Sequence, residues 1–84
     1  MNELRTETYQ FEAVSENGET ELMVAEIEHH IERSLTGIEE SRGRASLRTI
    51  GGKPIHVAAG KLINSENGVT YTTEDKRIRE EFLT

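Results

Sequence analysis

The stretch from Thr20 to Ile38 carries the strongest periodic signal in the chain, and any fold must find a place for its apolar side. At steps of roughly 100° per residue, Met23, Val24, Ile27, Ile31, Ser34, Leu35 and Ile38 fall inside one arc of about a third of a circle. Glu21, Glu26, Glu32, Arg33 and Glu39 fall opposite, with Glu28 at the margin. Thr20 can cap such a helix, Glu19 and Glu21 suit the positive end of its dipole, and Gly37 is placed to stop it. The spacing predicts an amphipathic helix over 20–36. Leu22 points away from the seam, so residues 19–22 can alternatively extend a strand.

The flanking segments read as strands. From Glu7 to Val14, Tyr9, Phe11 and Ala13 alternate with Thr8, Gln10 and Glu12, the period of a half-buried strand. Ser15-Glu16-Asn17-Gly18 supplies a turn. Two short runs, 45–50 and 54–59, are split by Gly51-Gly52, and Pro54 suits a strand entry. Residues 61–64 and 69–72 flank Glu66-Asn67-Gly68; read as a three-residue loop, it opposes Ile63 to Tyr71. Thr73-Glu74-Asp75 opens a terminal helix over 74–83, with Ile78 and Phe82 on one face. The order β-α-β-β-β-α predicts a single α+β domain over 1–84, with residues 1–6 a flexible start. Two helices would pack on one face of a mostly antiparallel sheet of three or four strands. The expected core is Tyr9, Phe11, Ile27, Ile31, Leu35, Ile55, Val57, Ile63, Tyr71, Ile78 and Phe82.

Composition narrows the function classes. Leu, Ile, Val and Phe are 19 of the 84 residues, just above the roughly 20% level below which chains tend to stay disordered. So thin a core leaves a small stability margin, which self-association would relieve. The absence of cysteine excludes disulfides and thiolate metal sites. No apolar run approaches the ~20 residues of a membrane helix, so no membrane partner is expected. Met1-Asn2-Glu3-Leu4-Arg5 lacks the basic start and apolar stretch of a secretion signal, so the cytoplasm is the expected compartment.

No constellation for catalysis emerges. Neighbouring helix positions point roughly 100° apart, so His29 and His30 cannot share a metal from one helix, and no ligand spacing includes His56. On the helical reading His29 faces solvent and His30 borders the apolar seam. The carboxylates cluster in solvated contexts, where nothing raises a pKa for acid–base work. Ser46 lacks the strained turn of a nucleophile. Gly51-Gly52-Lys53 lacks the upstream Gly, the Ser/Thr and the helix of a phosphate loop. We expect no enzyme activity, no cofactor and no metal.

The distribution of charge says more than the net −6. Residues 1–40 carry −9, residues 41–65 carry +5 with no acid at all, and residues 66–84 carry −2. The basic stretch makes Arg42, Arg44, Arg48, Lys53 and Lys61 candidates for binding an anion or nucleic acid. Their alternative is to lie beside the acidic segment and neutralise it. Glu21, Glu28, Glu32 and Glu39 form a candidate acidic face that could dock a basic partner or mimic nucleic acid. From Thr20 onward the element order is similar to that of double-stranded-RNA-binding domains, but Glu74-Asp75 opens the last helix where that family carries lysines. Ala59-Gly60-Lys61 with Gly68 and Thr70 is faintly similar to a loop region of ubiquitin-like folds. The expected function is a small non-enzymatic protein-binding or regulatory module, self-associating as a homodimer or holding a protein partner. Nucleic-acid binding through 42–61 is the alternative, and an acidic nucleic-acid mimic the third.

Overall fold

The computed structural model describes residues 2–83. It is a closed six-stranded antiparallel barrel with one short helix: β1 Asn2–Ser15, β2 Thr20–Ser34, β3 Gly37–Thr49, β4 Pro54–Ala58, β5 Lys61–Asn64, β6 Thr70–Thr72 and α1 Lys76–Glu81. The α+β arrangement is therefore corrected. Of the two expected helices only the terminal one occurs among the described residues, and the segment predicted as the long helix is the central strand β2.

The physical reason lies in the spacing. Met23, Ile27 and Ile31 are four apart, which is one turn of a helix and also twice the period of a strand. What separates the two readings is the residues between. Ala25 is fully buried, in phase with Met23 and Ile27, whereas a helix would turn it toward solvent. Leu35 and Ile38, which the helical seam would bury, stand in the open at 108% and 70% exposure. Gly37 closes a hairpin rather than a helix, pairing with Ser34 across the two-residue loop Leu35-Thr36. With the long helix gone, the likeness in element order to double-stranded-RNA-binding domains goes too.

Phe11, Ala13, Met23, Ala25, Leu47, Ile55, Leu62, Tyr71 and Ile78 form the barrel core. Tyr9 and Phe82 pack at its margin, while Val57 is exposed. Asp75 caps α1 by accepting a hydrogen bond from the Ile78 amide at 3.0 Å, and Ile78 is driven fully into the core. The β5–β6 register differs by one residue from the expected one: Leu62, not Ile63, opposes Tyr71. Gly68 takes φ +75 and its amide reaches the Asn64 carbonyl, so the loop is one residue longer than a three-residue turn. One step of register exchanges the two faces of a strand, which is why Leu62 is buried.

The barrel occupies only one end of the molecule. β6 pairs with β1 only at Val14 and Ser15, and β4 pairs with β3 only at Leu47 and Arg48. β1, β2 and β3 nevertheless run on together as far as Asn2, Ser34 and Gly37. Residues 2–8, 28–34 and 37–44 thus form a three-stranded arm, roughly 23 Å long at 3.3 Å per residue. It gives the molecule extents of 53 × 23 × 18 Å. Residues 2–6, expected as a loose start, are paired along this arm.

Candidate functional site

The arm has two faces and a root. In β1, Glu7 lies in phase with the buried Phe11 and Ala13, so its carboxylate emerges on the barrel-side face where α1 crosses. There Arg77 donates from both terminal nitrogens to Glu7, at 2.6 and 2.8 Å, and from Nε to Glu81 at 2.7 Å. His29 sits between Glu7 and Glu40, with ring nitrogens 3.1 and 3.2 Å from their oxygens. The Arg77 guanidinium also lies over the Tyr9 ring, 5.1 Å from its centre, and Arg42 lies 4.9 Å over Phe82. Tyr9 donates its hydroxyl to Asp75. This network locks the root of the arm to α1.

Its electrostatics follow from the geometry. The Arg77 hydrogen bonds, with a further contribution from His29, hold the Glu7 carboxyl down at about 2. Glu7 and Glu81 in turn raise Arg77 above its ordinary range. Asp75 raises the Tyr9 phenol, and Glu21 raises that of Tyr71, whose hydroxyl donates to it at 2.7 Å. None of Glu7, Tyr9, Asp75 or Arg77 stands out as a site residue in the sequence. The available signal was a carboxylate in phase with the apolar side of a strand, where it needs a cationic partner.

The five candidate cations do not converge on one face. Arg42 lies on the barrel-side face of the arm, 3.9 Å from Glu81, and Arg48 lies on the outer face, donating to Glu26 at 2.9 Å. Lys53 reaches Glu66 across 2.6 Å, which raises its pKa. Arg44 and Lys61 are exposed, with no ion pair among the described residues. Of the four acids, Glu28, Glu32 and Glu39 share the outer face of β2 and β3, and Glu32 stands directly opposite Glu39. Glu21 points to the other face and accepts from Tyr71.

Because β2 is a strand, His29 and His30 project to opposite faces. The expected environments of the two are reversed: His29 is half-buried in the network, and His30 is the exposed one. His30 lies over Gly43, where a Cβ would come within 2.4 Å of its Nε2. Gly43 sits at a bulge, the register of β3 against β2 shifting between Ile27 and His29. His56 is engaged elsewhere, its Nδ1 2.9 Å from Ser65 Oγ. No group of three or more His, Asp or Glu placed to hold a metal ion occurs among the described residues. Among the described residues no helix is long and apolar enough to cross a membrane.

The arm also offers unpaired backbone. The Glu16 amide donates to Thr70, and the Glu12 carbonyl accepts from Thr73 Oγ1 at 2.6 Å, so even-numbered β1 residues direct their backbone groups away from β2. By alternation the same groups of Leu4, Thr6, Thr8 and Gln10 face outward along an edge that no strand covers. The far edge of the arm, on β3, is likewise uncovered from Gly37 to Ser46. Leu35 and Ile38 stand at the tip, and Leu4, opposite His30, is exposed further down the arm on β1. No family model, curated protein or solved structure matches the chain.

Proposed function

We propose that the chain is a small non-enzymatic binding module that engages protein through its three-stranded arm, and we assign it to the cytoplasm. The observation that carries this reading is the arm itself, which projects from the barrel with the outer edges of β1 and β3 unpaired and aliphatic side chains at the tip. Sheet edges left open are templates for another strand, and isolated aliphatic tips gain by burial against a partner. A barrel this small needs no such extension for its own core, since the core cluster draws nothing from residues 28–44.

Nucleic-acid binding through Arg42, Arg44, Arg48, Lys53 and Lys61 has less support, because three of the five are paired with carboxylates and they point to different faces. The acidic-mimic reading rests on Glu28, Glu32 and Glu39 sharing one face of the arm, where like charges directly opposite repel and a cationic partner would relieve them. The discriminating experiment places a photo-crosslinking side chain at position 35 on the tip or at position 57 on the barrel. Protein adducts in a lysate of the source organism from position 35 and not from 57 support the reading. Equal yields from both, or retention on nucleic acid at low salt with a salt slope of roughly −0.7 to −0.9 per phosphate contact, would contradict it.

A further inference from the structure

We propose that the open edge of β1 is a homodimer interface, in which two copies pair their β1 strands antiparallel about a two-fold axis at Thr6. The proposal rests on the arm being a binding element and names its occupant: a second copy of this chain.

The two free edges of the arm are not equivalent. β3 is guarded in the ways that sheets use to prevent edge pairing, with a bulge at Gly43 and the charged side chains Glu39, Glu40, Arg42 and Arg44 along its length. β1 is less guarded, its charged side chains Glu3, Arg5 and Glu7 all lying on the barrel-side face. Its register with β2 is uninterrupted from Asn2 to Val14, it contains no proline or lysine, and its outer-face residues Leu4, Thr6, Thr8 and Gln10 are all exposed and uncharged. The open stretch ends where Thr73 takes the Glu12 carbonyl.

The sequence of that stretch is complementary to itself, and of the registers that avoid like charges and leave Glu12 aside, the one centred on Thr6 pairs the longest stretch, 2–10; centring on Leu4 also opposes Glu3 to Arg5 but pairs only 2–6. Pairing about Thr6 sets Leu4 against Thr8, Thr6 against Thr6 and Asn2 against Gln10 on the outer face, with no like charges facing. These are the even-numbered residues whose backbone groups already point outward, so each pair can exchange hydrogen bonds without disturbing β2. On the opposite face the register sets Arg5 against Glu7 twice, at non-hydrogen-bonded positions where side chains approach most closely. Arg5 is exposed and held only by its own neighbour Glu3, at 3.1 Å, so it is free to turn to the other copy. A register centred on Thr8 would spend Glu12, whose carbonyl is occupied, and would set Arg5 against Phe11. The result is a continuous sheet running from the β3 strand of one copy to the β3 strand of the other.

Sedimentation velocity across a concentration series, on the full chain, tests this with three variants. Thr6→Pro removes an outward amide at the centre of the interface while leaving the β1–β2 hydrogen bonds intact. Arg5→Glu keeps the backbone and opposes two carboxylates to Glu7. Ala45→Pro removes an outward amide on the β3 edge as a control. The wild type and Ala45→Pro should dimerise alike, and Thr6→Pro and Arg5→Glu should raise the dissociation constant roughly tenfold or more. If Thr6→Pro proves misfolded by circular dichroism, Arg5→Glu decides. A wild type that stays monomeric at every concentration overturns the proposal, as does a dimer indifferent to Arg5→Glu or lost on Ala45→Pro. A monomeric wild type with crosslinking still confined to position 35 would reject the second copy alone; loss of that crosslinking would reject the arm as a binding element.

Discussion

Replacing Ala25 with Asp, set beside replacing Leu35 with Ala, separates a strand from a helix over residues 20–34. Ala25 is fully buried in the barrel, opposite Tyr9 on β1 and Leu47 on β3. An aspartate there is too short to reach solvent. It strands a carboxyl without a partner, at roughly 1–3 kcal/mol even when protonated, and overpacks the site by a further ~1–3 kcal/mol. A chain of this length has about 4–13 kcal/mol of stability in all, so Ala25→Asp removes much of it. Leu35 buries nothing, and Leu35→Ala should stay within about 0.5 kcal/mol of the wild type. In thermal unfolding followed by circular dichroism, Ala25→Asp should lower Tm by more than about 10 °C or abolish the transition, and Leu35→Ala should shift it by less than about 4 °C. An amphipathic helix demands the reverse. Ala25 would sit on its solvated side at a cost of about 0.7 kcal/mol, and Leu35→Ala would cost about 2–5 kcal/mol. That reversed pattern would refute the strand.

Three further outcomes follow from side-chain geometry. Arg77→Leu should return the Glu7 carboxyl from about 2 toward 4.5, read by carboxyl-resolved NMR titration. The stability linked to Glu7 is present above its unfolded value and lost as pH falls from about 4.5 toward about 2, so the variant should unfold in acid at higher pH. Tyr71→Phe removes the bond to Glu21 and with it a phenol whose pKa the fold raises. The stability this phenol contributes holds below about 10 and fades as pH rises past it, so the variant should lose less stability than the wild type in alkaline unfolding. Gly43→Ala sets a methyl against the ring end of the exposed His30, which can swing aside, and 3.3 Å from Glu28 Cβ, so it should cost no more than about 1 kcal/mol in urea unfolding. His30→Ala in the same chain should recover most of that, and the double-mutant cycle measures the coupling.

What was legible in the sequence was local. The turns at Asn17-Gly18, Gly51-Gly52 and Glu66-Asn67-Gly68 occur where expected, with glycines in the left-handed region at 18, 52 and 68, because turn chemistry is decided within a few residues. The 7–14 part of the first strand and the terminal helix were legible for the same reason, although the helix begins two residues later than its pattern, capped by Asp75, and is shorter. β2 was not, because a spacing of four serves both periods, and only the burial of Ala25 against the exposure of Leu35 and Ile38 separates them. Those two aliphatic residues belong to the tip of an arm, yet they fall in phase with the buried side of a helical period. The pairing of Glu7 with Arg77, seventy residues apart, depends on barrel closure and has no local signature. The segmented charge was legible, but its resolution into Arg42–Glu81, Arg48–Glu26 and Lys53–Glu66 required the fold.

Residue-resolved amide exchange along β1, followed by NMR at low and high protein concentration, tests both the strand and its open edge at once. The odd-numbered amides Arg5, Glu7 and Tyr9 face β2 and should be protected at every concentration. The even-numbered amides Leu4, Thr6 and Thr8 should exchange freely when dilute and gain protection together as concentration rises. Uniformly fast exchange of Arg5, Glu7 and Tyr9 would contradict the arm, and even-numbered amides that stay unprotected at high concentration would contradict its pairing with a second copy.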